Sequence, residues 1–160
     1  MSFLAQTTNV PQQLSQPEAE KLSDYKEGVP LPDLRGYGEL GLKWLCENTT
    51  PKLTPVGKTH NHYHANIAGL LCHGIIDWLG EVSVNGTVVK NLNWSRTAED
   101  YYETTMDSDG GNTTVATTIR IYLGTETQTA DSTLNSFHSG QTHPGYRGQA
   151  YVVLQNLYGG

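Results

Sequence analysis

From Val115 to Leu123 the chain alternates without a break. Val115, Thr117, Ile119, Ile121 and Leu123 share one parity, and Thr114, Ala116, Thr118, Arg120 and Tyr122 share the other. Only an extended strand sends every second side chain to one face, so this stretch commits the chain to a β-sheet with the first set turned to a core. Upstream, Asp107-Ser108-Asp109-Gly110-Gly111-Asn112 is rich in turn formers and follows a strand-like run from Tyr101 to Thr105, which predicts a hairpin with a long loop. A tighter hairpin is predicted where Val82, Val84 and Val88 bracket Asn85-Gly86, a dipeptide that supplies positive φ at both centres of a type I′ turn. With 17 glycines in 160 residues and only 16% charged side chains, the profile is that of a turn-rich, mainly β chain long enough to bury a core.

Residues 1–16 are polar and rich in Gln and Thr, and they are expected to form an arm that orders only against a neighbour, leaving 17–160 as a single domain. Pro17 to Lys21 has the length of one helical turn, and Val29-Pro30-Leu31-Pro32 favours an extended, edge-like run. Leu34 to Leu45 reads as a strand interrupted at Gly36, Gly38 and Gly41, and Glu47 to Lys58 as a loop. Tyr63 to Cys72 fits helical and strand spacing equally. One short helix is expected around 131–139, capped by Asp131 or Ser132, with Leu134 and Phe137 on one side and Gly140 as its stop. A last strand covers Ala150 to Leu154.

Charge and side-chain chemistry exclude several functions. Ten basic against sixteen acidic residues give a net charge of −6, which repels a phosphate backbone and argues against direct nucleic-acid binding. No apolar run approaches the roughly 20 residues of a membrane span. Cys46 and Cys72 sit in apolar stretches without metal-ligand spacing and are expected to be buried thiols. His60, His62 and His64 would project from one face of a strand, where Zn²⁺ or Ni²⁺ could sit, but no fourth ligand accompanies them, and they are read as facing solvent or a partner. The 107–112 loop lacks the ligand order and closing glutamate of an EF-hand. Glu99, Asp100 and Glu103 lie together on a hydrophilic stretch and are read as a solvated strand edge rather than an acid pair. No nucleophile elbow, phosphate loop or Cys/His pair in catalytic context occurs. The expectation is therefore a protein that is not an enzyme, with no catalytic, metal-binding or cofactor-binding residue and no cofactor.

A series of motifs carries a resemblance. It runs through Glu27-Gly-Val-Pro-Leu-Pro-Asp-Leu-Arg-Gly36, Lys43-Trp44, Cys72-His-Gly74-Ile-Ile-Asp77, Asn85-Gly86, Gly124-Thr-Glu-Thr-Gln128 and Tyr146-Arg-Gly-Gln-Ala-Tyr-Val-Val153. In that order, from about Pro17 to Leu157, these resemble the opening domain of phage tail hub proteins, the lambda tail-tip protein J and the hubs of gene transfer agents. The last motif is the specific one. The resemblance implies an antiparallel, β-barrel-like domain related to the tail-tube fold, and it favours strand for Tyr63 to Cys72. It implies a structural virion component at the tail tip or baseplate hub, assembled in the bacterial host cytoplasm. Such subunits form a ring, usually a trimer, that docks on the distal tail and closes the channel before DNA ejection. Partners would be the distal tail protein, the tape measure and a spike or fibre. In the last motif Gly148 would permit a tight turn, Tyr151 and Val153 would face one way, and Arg147 would stand where it can meet a carboxylate. Family hubs carry further domains beyond this point, so the chain is expected to be a fragment or a shortened relative. The histidine-rich run from Thr59 to His64 is not part of the pattern.

A second class fits the same composition. A β-sandwich module of a phage tail that binds carbohydrate or a host receptor would also be acidic, rich in Thr and Asn, and equipped with Tyr and Trp for stacking. Against it, Trp44, Trp78 and Trp94 lie in apolar or strand-like contexts that suit a core.

Overall fold

The computed structural model of the chain describes residues 2–6, 30–47, 52–56, 60–84, 86–109, 114–137 and 142–158. They form ten strands and one helix: β1 (Ser2–Gln6), β2 (Tyr37–Gly41), β3 (Lys43–Glu47), β4 (Lys52–Val56), β5 (His60–His73), β6 (Trp78–Val84), β7 (Thr87–Ser95), β8 (Tyr101–Asp109), β9 (Thr114–Leu123), α1 (Leu134–Phe137) and β10 (Gln149–Tyr158). The mainly β character expected from the alternation is borne out.

The strands make two antiparallel sheets. One has the order β2-β1-β6-β7; the other runs β3-β5-β10-β9-β8, with β4 also paired to β5. Among the described residues this is a pair of sheets and not the closed barrel that was expected. Among the described residues the chain passes between the sheets at three corners, Gly41 to Lys43, His73 to Trp78 and Arg96 to Asp100, without a strand hydrogen bonded into both.

A shared core explains why the sheets stack. Phe3, Ala5, Leu40, Leu79 and Val82 from the first sheet meet Leu71, Ile119, Ile121, Leu123, Val152 and Leu154 from the second. Thr117, Ile119, Ile121 and Leu123 are fully buried, so the parity predicted for β9 is the one that faces the core. Thr117 enters an apolar layer at little cost because its hydroxyl donates to the Asn156 carbonyl at 3.1 Å.

The six-stranded sheet is covered on its other face too. There Ala68, Tyr122, Leu134, Tyr151 and Val153 form a second cluster, flanked by Leu45, Leu70 and Tyr146. The cover comes from the stretch between β9 and β10, which contributes Leu134 from α1 and Tyr146 from the loop. Hence Ala150 to Leu154 is buried at every position, as a strand packed on both faces must be. Tyr151 and Val153 do face one way, with Val152 and Leu154 facing the other.

Three local expectations are corrected. Residues 2–6 of the expected arm form β1, an interior strand paired to β2 on one side and β6 on the other, because Phe3 and Ala5 alternate into the core. The remainder of the arm and Pro17 to Lys21 lie outside the described residues. Within the expected loop Glu47 to Lys58, residues Lys52–Val56 form β4, which takes the first half of a 14-residue β5 while β3 takes the second; Pro55 is tolerated because β4 pairs on one side only. Tyr63 to Cys72, which fits either spacing, is strand within β5, as the resemblance implied. Asp107, Ser108 and Asp109 extend β8 opposite Ala116, Val115 and Thr114, so the hairpin loop is shorter than the composition suggested. The expected hairpin between β6 and β7 forms, Val84 pairing with Thr87 and Gly86 at φ 77°, while Asn85 lies outside the described residues. Among the described residues the helix covers Leu134–Phe137, and its expected stop at Gly140 lies outside them.

Candidate functional site

The motifs that are scattered through the chain meet at one end of the six-stranded sheet. Where β5 ends, Gly74 donates its amide to the Gly148 carbonyl at 2.9 Å; two residues on, Ile76 donates to Leu123 at 2.8 Å. Gly74, Gly124 and Gly148 all have positive φ, of 89°, 82° and 73°. At Gly124 a side chain is doubly barred, since a Cβ there would lie 2.1 Å from the Gly74 carbonyl oxygen. The tight turn expected of Gly148 is present.

Gln128 closes this node. Its side chain is fully buried. Its Oε1 accepts from the Gly124 amide at 2.9 Å, while Nε2 donates to the carbonyls of Gly145, Tyr146 and Gln149 at 2.9, 2.7 and 3.0 Å. Two N–H bonds serve three acceptors, so one is shared. The amide thereby ties together three carbonyls of the turn from 145 to 149, one of which, that of Tyr146, also accepts from the Gln149 amide at 3.0 Å; a buried backbone group without any partner would cost about 1–3 kcal/mol. Arg147 donates Nε to the Gln128 carbonyl at 3.4 Å. That bond goes to a backbone oxygen rather than to the carboxylate that was expected.

A second polar knot sits under the cover. Asp131 is 1% exposed. Its Oδ1 accepts from the amides of Thr133 at 2.7 Å and Leu134 at 3.2 Å and from the Thr133 hydroxyl, which makes it the helix cap anticipated from sequence. Its Oδ2 accepts from Tyr122 Oη at 3.1 Å and Arg120 Nη1 at 3.3 Å, and Arg120 also binds Glu103. Burial alone would raise the Asp131 pKa, but the Thr133 bonds, Arg120 and Tyr122 together hold it below the ordinary carboxylate value. Burial, reinforced by Asp131, pushes the Tyr122 phenol upward, and burial does the same to Tyr151. Tyr101, Tyr122 and Tyr151 stack across β8, β9 and β10, with centroid separations of 5.3 and 4.3 Å. These rings and ion pairs fix a cover onto a sheet.

The other candidates separate in space. Glu99 is exposed and accepts from the Thr97 hydroxyl and amide and from the Ala98 amide, which lowers its pKa to about 2, the Thr97 hydroxyl contributing most. Asp100 accepts from Thr125 at 2.6 Å and Thr127 at 2.7 Å, and Glu103 is taken by Arg120. The three carboxylates thus hold three different corners. Cys72 is buried, and burial, with Asp33 adding to it, pushes its thiol to about 12. The side chain of Cys46 lies outside the described residues. His60, His62 and His64 occupy alternate positions of β5 opposite Val56, Thr54 and Lys52, with side chains outside the described residues. Among the described residues no group of three potential ligands could hold a metal, and no helix is long and apolar enough to cross a membrane.

Trp94 packs on the core and on Tyr102 at 4.9 Å, as expected, and the Trp44 side chain lies outside the described residues. Trp78 differs: it meets Tyr37 and Gly80 on the face of the four-stranded sheet turned away from the shared core. Tyr37 went unremarked in the sequence because a lone tyrosine beside two glycines has no pattern. Gln128 was visible only as one letter of a motif, since a polar side chain carries no sign of burial. No protein-family model matches the chain, no curated protein matches it, and no solved structure matches it.

Proposed function

We infer that the chain is a structural component of a bacteriophage tail tip or baseplate hub. In this role the domain works by complementary surface: copies associate into a ring, a trimer by the resemblance, that docks on the distal tail protein and closes the channel before DNA ejection. The tape measure and a spike or fibre would be its further neighbours, and the virion tail tip its location. The fold would be a relative of the tail-tube and hub domain with its sheets left open at their edges.

One observation supports the reading. Cys72 to Asp77, Gly124 to Gln128 and Tyr146 to Val153 are separated by tens of residues, yet they are joined through Gly74 to Gly148, Gly124 to Gln128, and Gln128 to Gly145, Tyr146 and Gln149. Motifs that share one interlocked node behave as a single architectural signature, and a signature of backbone support is what an assembly subunit needs.

The test is mass and symmetry in solution. Light scattering coupled to size exclusion should give a closed multiple of the 17.6 kDa chain, and negative-stain images should show rings that bind a distal tail protein. A chain that stays monomeric at high concentration and ignores that protein refutes the assignment.

A further inference from the structure

The outward face of the four-stranded sheet carries an aromatic corner that the hub reading does not use. Tyr37, Gln6, Trp78 and Ser95 lie on one rung across β2, β1, β6 and β7. On the next rung along, Leu4 pairs with Glu39, and Gly80 follows Trp78 by two positions on β6. A Cβ at Gly80 would fall 2.4 Å from Trp78 Cη2, 2.7 Å from Cζ3 and 2.6 Å from Leu4 Cδ2. The six-membered ring of Trp78 therefore leans along the strand and rests on bare backbone, in a berth that only glycine leaves open. Tyr37 stands beside it at a centroid distance of 5.6 Å and an interplanar angle of 71°, and remains 58% exposed. One ring makes a floor and the other a wall.

We propose that this corner binds a neutral saccharide, the apolar face of a pyranose lying on Trp78 with Tyr37 at its side. The face of an aromatic ring is electron-rich and attracts the weakly positive C–H bonds of a sugar, while the hydroxyls around the sugar's rim seek hydrogen bonds. Those are at hand. Ser95 sits across the rung from Trp78, and Asn93, two residues back on the same strand, is exposed and held at φ 44°. An amide and a hydroxyl can each donate and accept, which suits hydroxyls of either orientation. The charge argues for a neutral ligand. Glu39 is exposed two positions from Tyr37 on the same strand parity, whereas Lys90 has the parity of Leu92 and Trp94, which pack toward the core. Among the described residues the nearby cations Arg35 and Arg96 are paired with Asp33 and Asp77, so a sialic acid or a phosphate-bearing glycan would meet the Glu39 carboxylate and cations that already have a counter-ion. The site needs neither a ring nor a tail, so it stands or falls apart from the assembly reading.

The experiment is saturation-transfer NMR on the full chain with a panel of neutral oligosaccharides built on glucose, galactose, mannose and N-acetylglucosamine, each at about 5 mM, enough to reveal a millimolar Kd. Signals from the ring protons of at least one neutral sugar are expected. They should weaken about tenfold in Tyr37→Ala, a substitution at an exposed position, and vanish in Trp78→Ala. Tyr101→Ala, which removes another exposed aromatic from the other sheet, should leave them intact. The absence of transfer to every neutral sugar overturns the proposal, as does binding that survives Trp78→Ala or that is equally strong for sialyllactose. A change in solution mass on Tyr37→Ala with no sugar bound would make the face a contact between copies, and that also overturns it.

Discussion

The two outward faces of this sandwich have opposite fates. On the six-stranded sheet, the stretch between β9 and β10 folds back and buries Tyr122, Tyr151 and Val153, and it brings in polar groups that need partners, several of which Gln128 and Asp131 supply. On the four-stranded sheet Tyr37 stays 58% exposed and Trp78 partly exposed. A covered face is held by many mutual constraints and has little freedom to meet another molecule. An open face contributes little to stability and keeps its side chains available.

That contrast orders the effects of substitution. The widest gap is expected between two tyrosines: Tyr151→Ala removes a fully buried ring stacked at 4.3 Å on Tyr122 and should cost about 4 kcal/mol. Tyr37→Ala should cost about 0.5 kcal/mol, since the ring is 58% exposed. Urea denaturation midpoints measure both, and comparable losses would break the comparison. Two glycines sharpen it further. Gly124→Ala and Gly86→Ala both place a side chain at positive φ, but the first drives Cβ into the Gly74 carbonyl and the second meets nothing within 4 Å. The expected costs are about 3 and about 1 kcal/mol, read from the same midpoints.

Asp131 tests the covered side through pH. Its folded pKa lies below the unfolded value, so its contribution is complete above the ordinary carboxylate range and fades as pH falls through the lowered folded value. Asp131→Asn keeps an acceptor for the helix cap but loses the charge facing Arg120. It should destabilise by about 1–2 kcal/mol at pH 7 and by progressively less toward pH 3; a penalty that does not change with pH would remove the ionic part of the account. The smallest expected signal is chemical. With its thiol pushed to about 12, Cys72 should remain unalkylated by iodoacetamide at pH 8 in the folded chain and react once urea unfolds it, as peptide mass spectrometry will read.

What could be read in the sequence was what is local. The β9 alternation and the Asn85-Gly86 turn name their own partners, because a strand's parity and a two-residue turn are settled within a few positions. Asp131 as cap was legible for the same reason. Tyr122 was not: its parity marks it as outward, and it is buried only because residues downstream return to cover it. β1 was missed because five residues flanked by polar sequence have no periodicity, and its strand character comes from β2 and β6 on either side. The candidate saccharide corner was equally hidden, since Tyr37 and Trp78 are brought together by strands that bracket β1 and by the empty space at Gly80.

The position of β10 has a consequence for how the chain comes to be made. It follows every other strand of its sheet in chain order, yet it lies between β5 and β9. During synthesis those two strands therefore wait with facing edges unpaired until β10 emerges, and the node at Gly74, Gly124 and Gly148 cannot close before then. A nascent chain at that stage is a template for the wrong strand, including one from a neighbouring ribosome. Yield from the cell should consequently depend on elongation rate and temperature more steeply than the finished protein's resistance to denaturant would suggest.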